Sequence, residues 1–315
     1  MLGRWGALKK MGVLGINNRN INFIQKLNDR RYYPLVDNKI LTKEMAIENN
    51  IAAPELYAAV KSEHDNKNLE SFLKNHNSFV IKPAQGAGGE GIIVVTGQVN
   101  NRFKQASGRM MDMDQMRYHV SNILSGTYSL GGHPDVAMVE YLIQFDALFN
   151  SITYQGAPDV RIIVICGFPV MAMARLPTRE SSGKANLHQG AIGAGIDLKT
   201  GITMNGVWHN EIVTHHPDTE NPISGLEIPK WHDFLEIASK CYDLTNLGYL
   251  GIDIILDKDK GPLMLELNAR PGLNIQIANE KGIEGRYNRI KDKIPDCKNM
   301  SYRERIDYVL NLENF

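Results

Sequence analysis

Two short apolar runs, Phe79-Val-Ile81 and Ile92-Ile-Val-Val95, flank a glycine-rich stretch, Gly86-Ala-Gly-Gly-Glu-Gly91. Runs of this length rich in Val and Ile read as β-strands, so the glycines form the tip of a hairpin. The same letters satisfy the dinucleotide fingerprint G-x-G-x-x-G. That fingerprint works only where the loop opens a helix whose N-terminus faces a pyrophosphate, and here the loop opens a β run. A Walker A loop needs G-K-[ST] before a helix, and a kinase hairpin needs its lysine after the glycines, with H-R-D and D-F-G further on. None of these sequences occurs. What survives is a glycine lid. Gly86, Gly88, Gly89 and Gly91 permit positive φ and let backbone N–H groups approach phosphate oxygens. Lys82, at the end of the first strand and directly before Pro83, places an ammonium under that lid.

A second pair of β runs, Gly251–Leu256 and Leu263–Leu267, is joined by Asp257-Lys-Asp-Lys-Gly261. A turn centred between Asp259 and Lys260 puts Asp253 opposite Glu266. Strand alternation then predicts Glu266 and Asn268 on one face, with Leu263, Leu265 and Leu267 on the other. Carboxylates placed directly across a sheet repel each other unless a positive charge sits between them. Two carboxylates and one amide, all oxygen donors, suit Mg²⁺, or Mn²⁺ in its place, completed by water and nucleotide phosphates. The expected metal ligands are therefore Asp253, Glu266 and Asn268.

The remaining pattern is of mixed type. The opening stretch through Arg31 sets Trp5, Leu8, Met11 and Leu14 among basic residues, which predicts a short amphipathic helix packed on its own domain. Thr42–Asn50 reads as a helix behind an N-cap at Thr42, broken at Ile51-Ala-Ala-Pro54. Residues 97–136 read as a basic insertion, helical over Met113–Leu124, with Met111, Met113 and Met116 as packing residues. Val136–Tyr141, Val160–Cys166 and Val170–Ala174 read as strands, the last two joined by a Gly167-Phe-Pro169 turn, and Trp231–Tyr242 as a helix. Residues 178–195 have the polar, glycine-rich composition of an active-site loop. With 43% hydrophobic and 22% charged residues, the chain fits the α/β class. Its formal charge of zero gives no field for nucleic acid or an anionic membrane, so any phosphate must be met locally. Cys166, Cys241 and Cys297 show no pairing pattern. No signal peptide or membrane span is indicated, and the expected location is the cytoplasm.

Taken in order, these segments resemble the ATP-grasp superfamily, and most closely the RimK-type α-L-glutamate ligases and their α-L-glutamate-ligase-like relatives. The resemblance covers residues 37–280. It is carried by VDNK at 36–39, FVIKPAQGAGGEG at 79–91, VEYL at 139–142, DVR at 159–161, KANLHQG at 184–190, GIDI at 251–254 and ELNARPGL at 266–273. It implies an α/β (α+β) ATP-grasp fold with two subdomains clamping ATP. The implied division is a short segment 1–36, an N-terminal subdomain 37–140, a C-terminal subdomain 141–280 bearing the metal site, and a helical extension 281–315. In that family Lys39 and Lys82 would bind ATP phosphates, and Glu140 and Tyr141 would lie at the hinge by adenine. Asp159, Lys184 and Asn186 would also contact the nucleotide. With Gly251 where the D-alanine ligase branch has arginine, the missing charge falls to Arg161 and Arg175, each for a phosphate or carboxylate, and Arg270, just past the metal pair, is a third candidate, for gripping a substrate carboxylate bidentately. Only 38 residues precede Lys39, so the N-terminal domain usual in such ligases is truncated or missing, and a protein partner or an oligomer is one way to supply its surface.

The implied chemistry is formation of an amide from a carboxylate and an amine through an acyl-phosphate, with small molecules or peptides as substrates and glutamate as one candidate acid. Positioning and charge neutralisation suffice for it, without a protein nucleophile. Two other functions fit the same motifs: a nucleotide-binding regulatory module without ligation, and a phosphotransferase that stops at a phosphorylated small acceptor. His188 is the best placed of the histidines, and His215-His-Pro-Asp218 reads as a structural turn.

Overall fold

The computed structural model describes residues 11–86, 88–100, 102–129, 131–313 and 315. Its chain divides into two units: one comprises Asp37–Ile47 and Ala53–Gln144, the other the residues up to Val36, Glu48–Ala52 and Phe145–Phe315. Residues 11–36 and those described after 280 thus fold as parts of the second unit. Trp5 and Leu8 of the expected amphipathic helix lie outside the described residues. The helix itself begins after Gly15, running from Ile16–Asn18 through a π-helical stretch, Arg19–Ile24, to Gln25–Leu27.

In the first unit the glycine hairpin lies inside an antiparallel sheet of β1 (Leu56–Val60), β2 (Phe79–Pro83), β3 (Ile93–Val99), β4 (Arg102–Gln105), β5 (Met110–Met111) and β6 (Ala137–Glu140), in the order β1-β6-β2-β3-β4-β5. Alternation along β2 and β6 divides their side chains. Phe79, Ile81, Ala137 and Val139 join Val95, Phe103, Met116, Val120 and Ile123 in one core, where each large side chain removed from water contributes about 2 kcal/mol. Met138 faces the other way, against Ile40 of the helix Lys39–Glu48. Lys82 is paired with Met138, and Val80 with Glu140, so Lys82 and Glu140 share that second face. Residues 97–136 are built into the sheet and its core. They supply β4, β5 and the helix Met113–Leu124, which starts on a capping box at Asp112 and Gln115 and buries Met116, Val120 and Ile123. The helix Lys39–Glu48 starts three residues earlier than Thr42. Its first N–H groups are capped by Asn38, whose Oδ1 accepts from Ile40 N at 3.1 Å and Leu41 N at 3.3 Å.

The second unit holds a seven-stranded antiparallel sheet of β7 (Asp159–Ile165), β8 (Phe168–Leu176), β9 (Ile192–Ile196), β10 (Thr203–Trp208), β11 (Glu211–Val213), β12 (Tyr249–Asp257) and β13 (Gly261–Asn268), in the order β11-β10-β9-β8-β7-β12-β13. The turn between β7 and β8 is Cys166-Gly167, both at positive φ, the two-residue hairpin geometry that matches strand twist. Phe168 and Pro169 are already in the strand. The polar loop ends sooner than 195, because Ile192 begins β9. The helix Trp231–Thr245 buries Phe234, Leu235, Ala238 and Cys241 and packs on β7, β8, β12 and β13. The C-terminal helix Tyr302–Asn311 docks through fully buried Arg305, which makes a bidentate pair with Asp243. Cys166, Cys241 and Cys297 are buried free thiols. Among the described residues no helix is long and apolar enough to cross a membrane.

The hairpin of β12 and β13 does place Asp253 opposite Glu266, by a route other than the expected one. Asp257↔Gly261 and Ile254↔Met264 centre the turn on Asp259, one residue off the predicted pairing. A bulge at Leu265 then shifts the register back, giving Asp253↔Glu266, Ile252↔Leu267 and Gly251↔Asn268. The two displacements cancel at the site. They also change the faces: Leu263, opposite Ile255, lies on the side of Asp253 rather than with Leu267, and Leu265 is half-buried.

Candidate active site

On the second face of the six-stranded sheet, Glu140 is buried between two lysines. Its carboxylate pairs with Lys82 through one oxygen and with Lys43 through the other. The helix Lys39–Glu48 lies against this face, which is how Lys43 arrives there. Burial by itself raises the Glu140 carboxyl, but the ammonium groups of Lys82 and Lys43 outweigh it and hold the group below the usual range. Burial, opposed by Glu140 and assisted by Lys82, brings Lys43 down to about 8. Nothing in the spacing of Lys43 marked it, because a lysine on a buried helix face reads as one more polar position. Tyr141 follows at the end of β6, its N–H donating to Glu55 O at 2.9 Å.

The lowered Lys43 value has a sign that can be measured. Between about pH 8 and its ordinary value near 10.5, the unfolded chain binds the proton that the folded chain has released, so stability rises with pH across that window. The expected gain is on the order of 3 kcal/mol. Urea unfolding at pH 7.5 and 9.5 should show this rise in the wild type and not in Lys43→Met; equal slopes in the two proteins would exclude it.

The glycine lid is rooted from several sides of the same unit. Lys39 Nζ donates to Gly86 O at 2.7 Å. The Asp135 carboxylate accepts from Gln85 N at 3.0 Å and from Ser129 Oγ at 2.7 Å. His119 Nε2 sits 2.9 Å from Gly91 O. Gly88, Gly89 and Gly91 all have positive φ, and β3 follows without a helix, as the lid requires. At Gly91 a Cβ would meet the Tyr128 ring at 2.6 Å. Gly91→Ala should therefore destabilise by about 1–3 kcal/mol, with part of the loss recovered in Gly91→Ala/Tyr128→Ala. Thermal midpoints of the two variants check this.

On the seven-stranded sheet, register brings a second set of groups to one face. Arg161 is paired with Asp253, Asp253 with Glu266, and Asp159 with Arg175. The Arg161 guanidinium binds Asp253 bidentately at 2.6 and 2.7 Å. Arg175 binds Asp159 through two bonds of 2.5 Å and reaches Asp253 Oδ2 at 2.7 Å. Asn268 Nδ2 lies 3.4 Å from the same Oδ2. Burial alone would raise Asp253, but Arg161 and Arg175 hold it below the ordinary carboxylate range. Burial, with the charge of Asp253 adding to it and Arg175 opposing, pushes Asp159 up to about 6. The positive charge that the opposed carboxylates require is thus present in the chain itself as Arg161 and Arg175. Gly251 is required for space, since a Cβ there would meet Pro271 at 2.7 Å.

Among the described residues no three His, Cys, Asp or Glu side chains form a metal cage. The oxygen donors that the register brings to one sheet face are those of Asp253 and Glu266, paired across β12 and β13, and of Asn268. That set fits Mg²⁺, which binds through one or two carboxylates plus substrate phosphates rather than in an all-protein cage. Asn186 has a local task, its Oδ1 accepting from His188 N at 3.0 Å. Lys184 lies half-buried in the same loop, its N–H bonded to Ser181 O. The buried ring of His216 bonds to Pro177 O at 3.0 Å, as a structural turn does. Arg270 stands apart from the other arginines: it is exposed, with its guanidinium 4.7 Å from the centre of the Tyr33 ring.

The family model for sugar-transfer associated ATP-grasp proteins matches residues 18–292. The chain belongs to that family. At low identity the chain is also similar to solved structures. The RiPP-associated ATP-grasp ligase of Chryseobacterium gregarium, in complex with ADP and a leader and core peptide, is 14% identical with a TM-score of 0.45, over 87% of this chain and 63% of that one. D-alanine–D-alanine ligase from Bacillus anthracis, complexed with ATP, is 13% identical with a TM-score of 0.42, over 89% and 65%. The RimK domain ATP-grasp protein of Sphaerobacter thermophilus is 10% identical with a TM-score of 0.46, over 82% and 69%. This ATP-grasp chain spans less than two thirds of the length of the first two. No curated protein sequence matches it.

Proposed function

We propose that this ATP-grasp chain is an ATP- and Mg²⁺-dependent carboxylate–amine ligase. The observation that carries the proposal is the single sheet face that holds Asp253, Glu266, Asn268, Arg161 and Arg175, with both arginines bonded to Asp253, in a chain whose other unit carries Lys82 and the glycine-rich hairpin. Asp253, Glu266 and Asn268 would hold Mg²⁺, which when bound neutralises phosphate oxygens. Lys82 and Lys39 are the cations proposed for phosphate oxygens, and the N–H groups of the glycine-rich hairpin suit such oxygens as well. Arg161 and Arg175 are planar, permanently charged donors already fixed beside the carboxylates, suited to stabilise charge on the phosphoryl group in transfer.

In the first step an oxygen of the acid substrate attacks the γ-phosphorus and ADP leaves. In the second the amine attacks the acyl carbon, inorganic phosphate leaves, and the amine loses a proton. Neither step needs a protein nucleophile, and none of the buried thiols stands in this cluster. The test is ADP release across matched acids and amines, amino acids and peptides included. A ligase should release ADP and phosphate in equal amounts, and only when an acid and an amine are both present. Release with one substrate and a stable phosphorylated product would identify a kinase. ATP binding with no release under any pair would identify a regulatory module.

A further inference from the structure

A cavity of about 970 Å³ opens beside the N-terminal helix, lined by residues of the unit that carries Asp253 and Glu266. It falls within the range of small-ligand pockets, roughly 300–1,000 Å³. Four cationic side chains line it, Arg19, Lys26, Arg30 and Arg270, against one carboxylate, Asp29. That carboxylate is already engaged, pairing with Arg31 at 3.0 Å and accepting from the Arg31 N–H at 3.1 Å.

None of the four cations is neutralised by a carboxylate among the described residues. Arg19 is fixed by neutral partners, donating to Pro271 O at 3.1 Å and to Asn20 Oδ1 at 2.9 and 3.1 Å. Arg270 is fixed by a ring, lying over Tyr33, which is itself buried. Elsewhere in this unit Arg161, Arg175 and Arg305 each have a carboxylate, while buried Arg286 donates to Val170 O and lies over the Phe315 ring. In a chain of zero net charge, four unneutralised cations around one cavity are a local excess. Such an excess draws an anion, and arginine forks bind phosphate or carboxylate bidentately. The cavity is also tied to the reaction face. Buried Asn28 donates to Tyr249 O at 2.8 Å and to Ala269 O at 3.0 Å, and Ala269 lies between Asn268 and Arg270.

We propose that this cavity binds the anionic end of a small-molecule substrate, a phosphate or carboxylate group, and so sets which substrates are used. The word substrate rests on the ligase proposal; the anion site does not. Calorimetry on the full chain, with pyrophosphate and separately with tricarballylate as probes and without turnover, tests it. At least one probe should bind, and Arg30→Gln/Arg270→Gln should weaken that probe tenfold or more, while Lys82→Ala leaves its affinity within twofold. The exposed pair Lys26→Gln/Arg30→Gln, with an unchanged thermal midpoint, should weaken it in the same direction. The tighter probe distinguishes a phosphate-bearing from a carboxylate-bearing ligand. No binding of either probe, wild-type affinity in both double variants, or loss of affinity in Lys82→Ala would overturn the proposal. Intact probe binding in a protein that never releases ADP would sink ligation and leave the anion site standing.

Discussion

Glu266→Gln should abolish Mg²⁺-dependent ADP release, by about 100-fold or more, while the fold and its melting temperature stay near wild type. Glu266 is half-buried at the end of β13, and glutamine keeps its shape while removing the charge that a hard cation requires. A metal's stabilisation of transferring phosphate is worth several kcal/mol, and each ~1.4 kcal/mol is tenfold in rate. The size of the expected loss follows from these two figures. Turnover within threefold of wild type, at saturating Mg²⁺ and ATP, would remove Glu266 from the metal site.

The opposite signature is expected of Asp253→Ala. Its carboxylate answers both Arg161 and Arg175, and it is almost fully buried. Removing it leaves two guanidiniums without that partner, and breaking such a pair costs about 3–5 kcal/mol. Arg175 keeps Asp159, so the larger share of the loss belongs to Arg161. Denaturant unfolding should show the loss in Asp253→Ala and little change in Glu266→Gln. Asp253→Ala with Arg161→Met in the same chain should recover part of it, because the orphaned charge is then gone. Equal stability of wild type and Asp253→Ala would mean that the arginine pairs contribute nothing to this unit.

How much of this was legible in the sequence differs from element to element, for physical reasons. The glycine hairpin was, because a β run on each side of the glycines leaves no room for a helix. So was the helix Met113–Leu124, which both begins and ends where its capping residues and Gly126 mark it. The facing of Asp253 and Glu266 was also legible, but through two cancelling displacements, since neither a turn centred on Asp259 nor a bulge at Leu265 leaves a mark in composition. The helix Lys39–Glu48 was placed late because Thr42 looks like a cap, while the cap in use is Asn38 and Thr42 returns its hydroxyl to Asn38 O. Residues 97–136 read as an insertion because β5 is two residues long and β4 only four, two of them the charged Arg102 and Lys104.

The same contrast runs through the site. Arg161 and Arg175 were named for the charge that Gly251 leaves unfilled, and both are bonded to Asp253. Lys43 was invisible, since only the packing of its helix on the face of Lys82 and Glu140 brings the three together. Asp135 and His119, which hold the two ends of the lid, were equally silent, because their bonds to the lid go to backbone groups with no sequence identity of their own. Arg270 was grouped with Arg161 and Arg175 on proximity in the chain. Its contact with Tyr33 depends on where the N-terminal helix and the turn after it lie, and strand arithmetic says nothing about those.

The metal assignment is tested most directly by anomalous diffraction from crystals grown with Mn²⁺ and a non-hydrolysable ATP analogue. A manganese peak at coordination distance, about 2.2 Å, from oxygens of Glu266 and Asn268, with Asp253 at the same ion or one water away, is the expected result. A peak bound elsewhere, or nucleotide in place with no metal near Glu266, would contradict it.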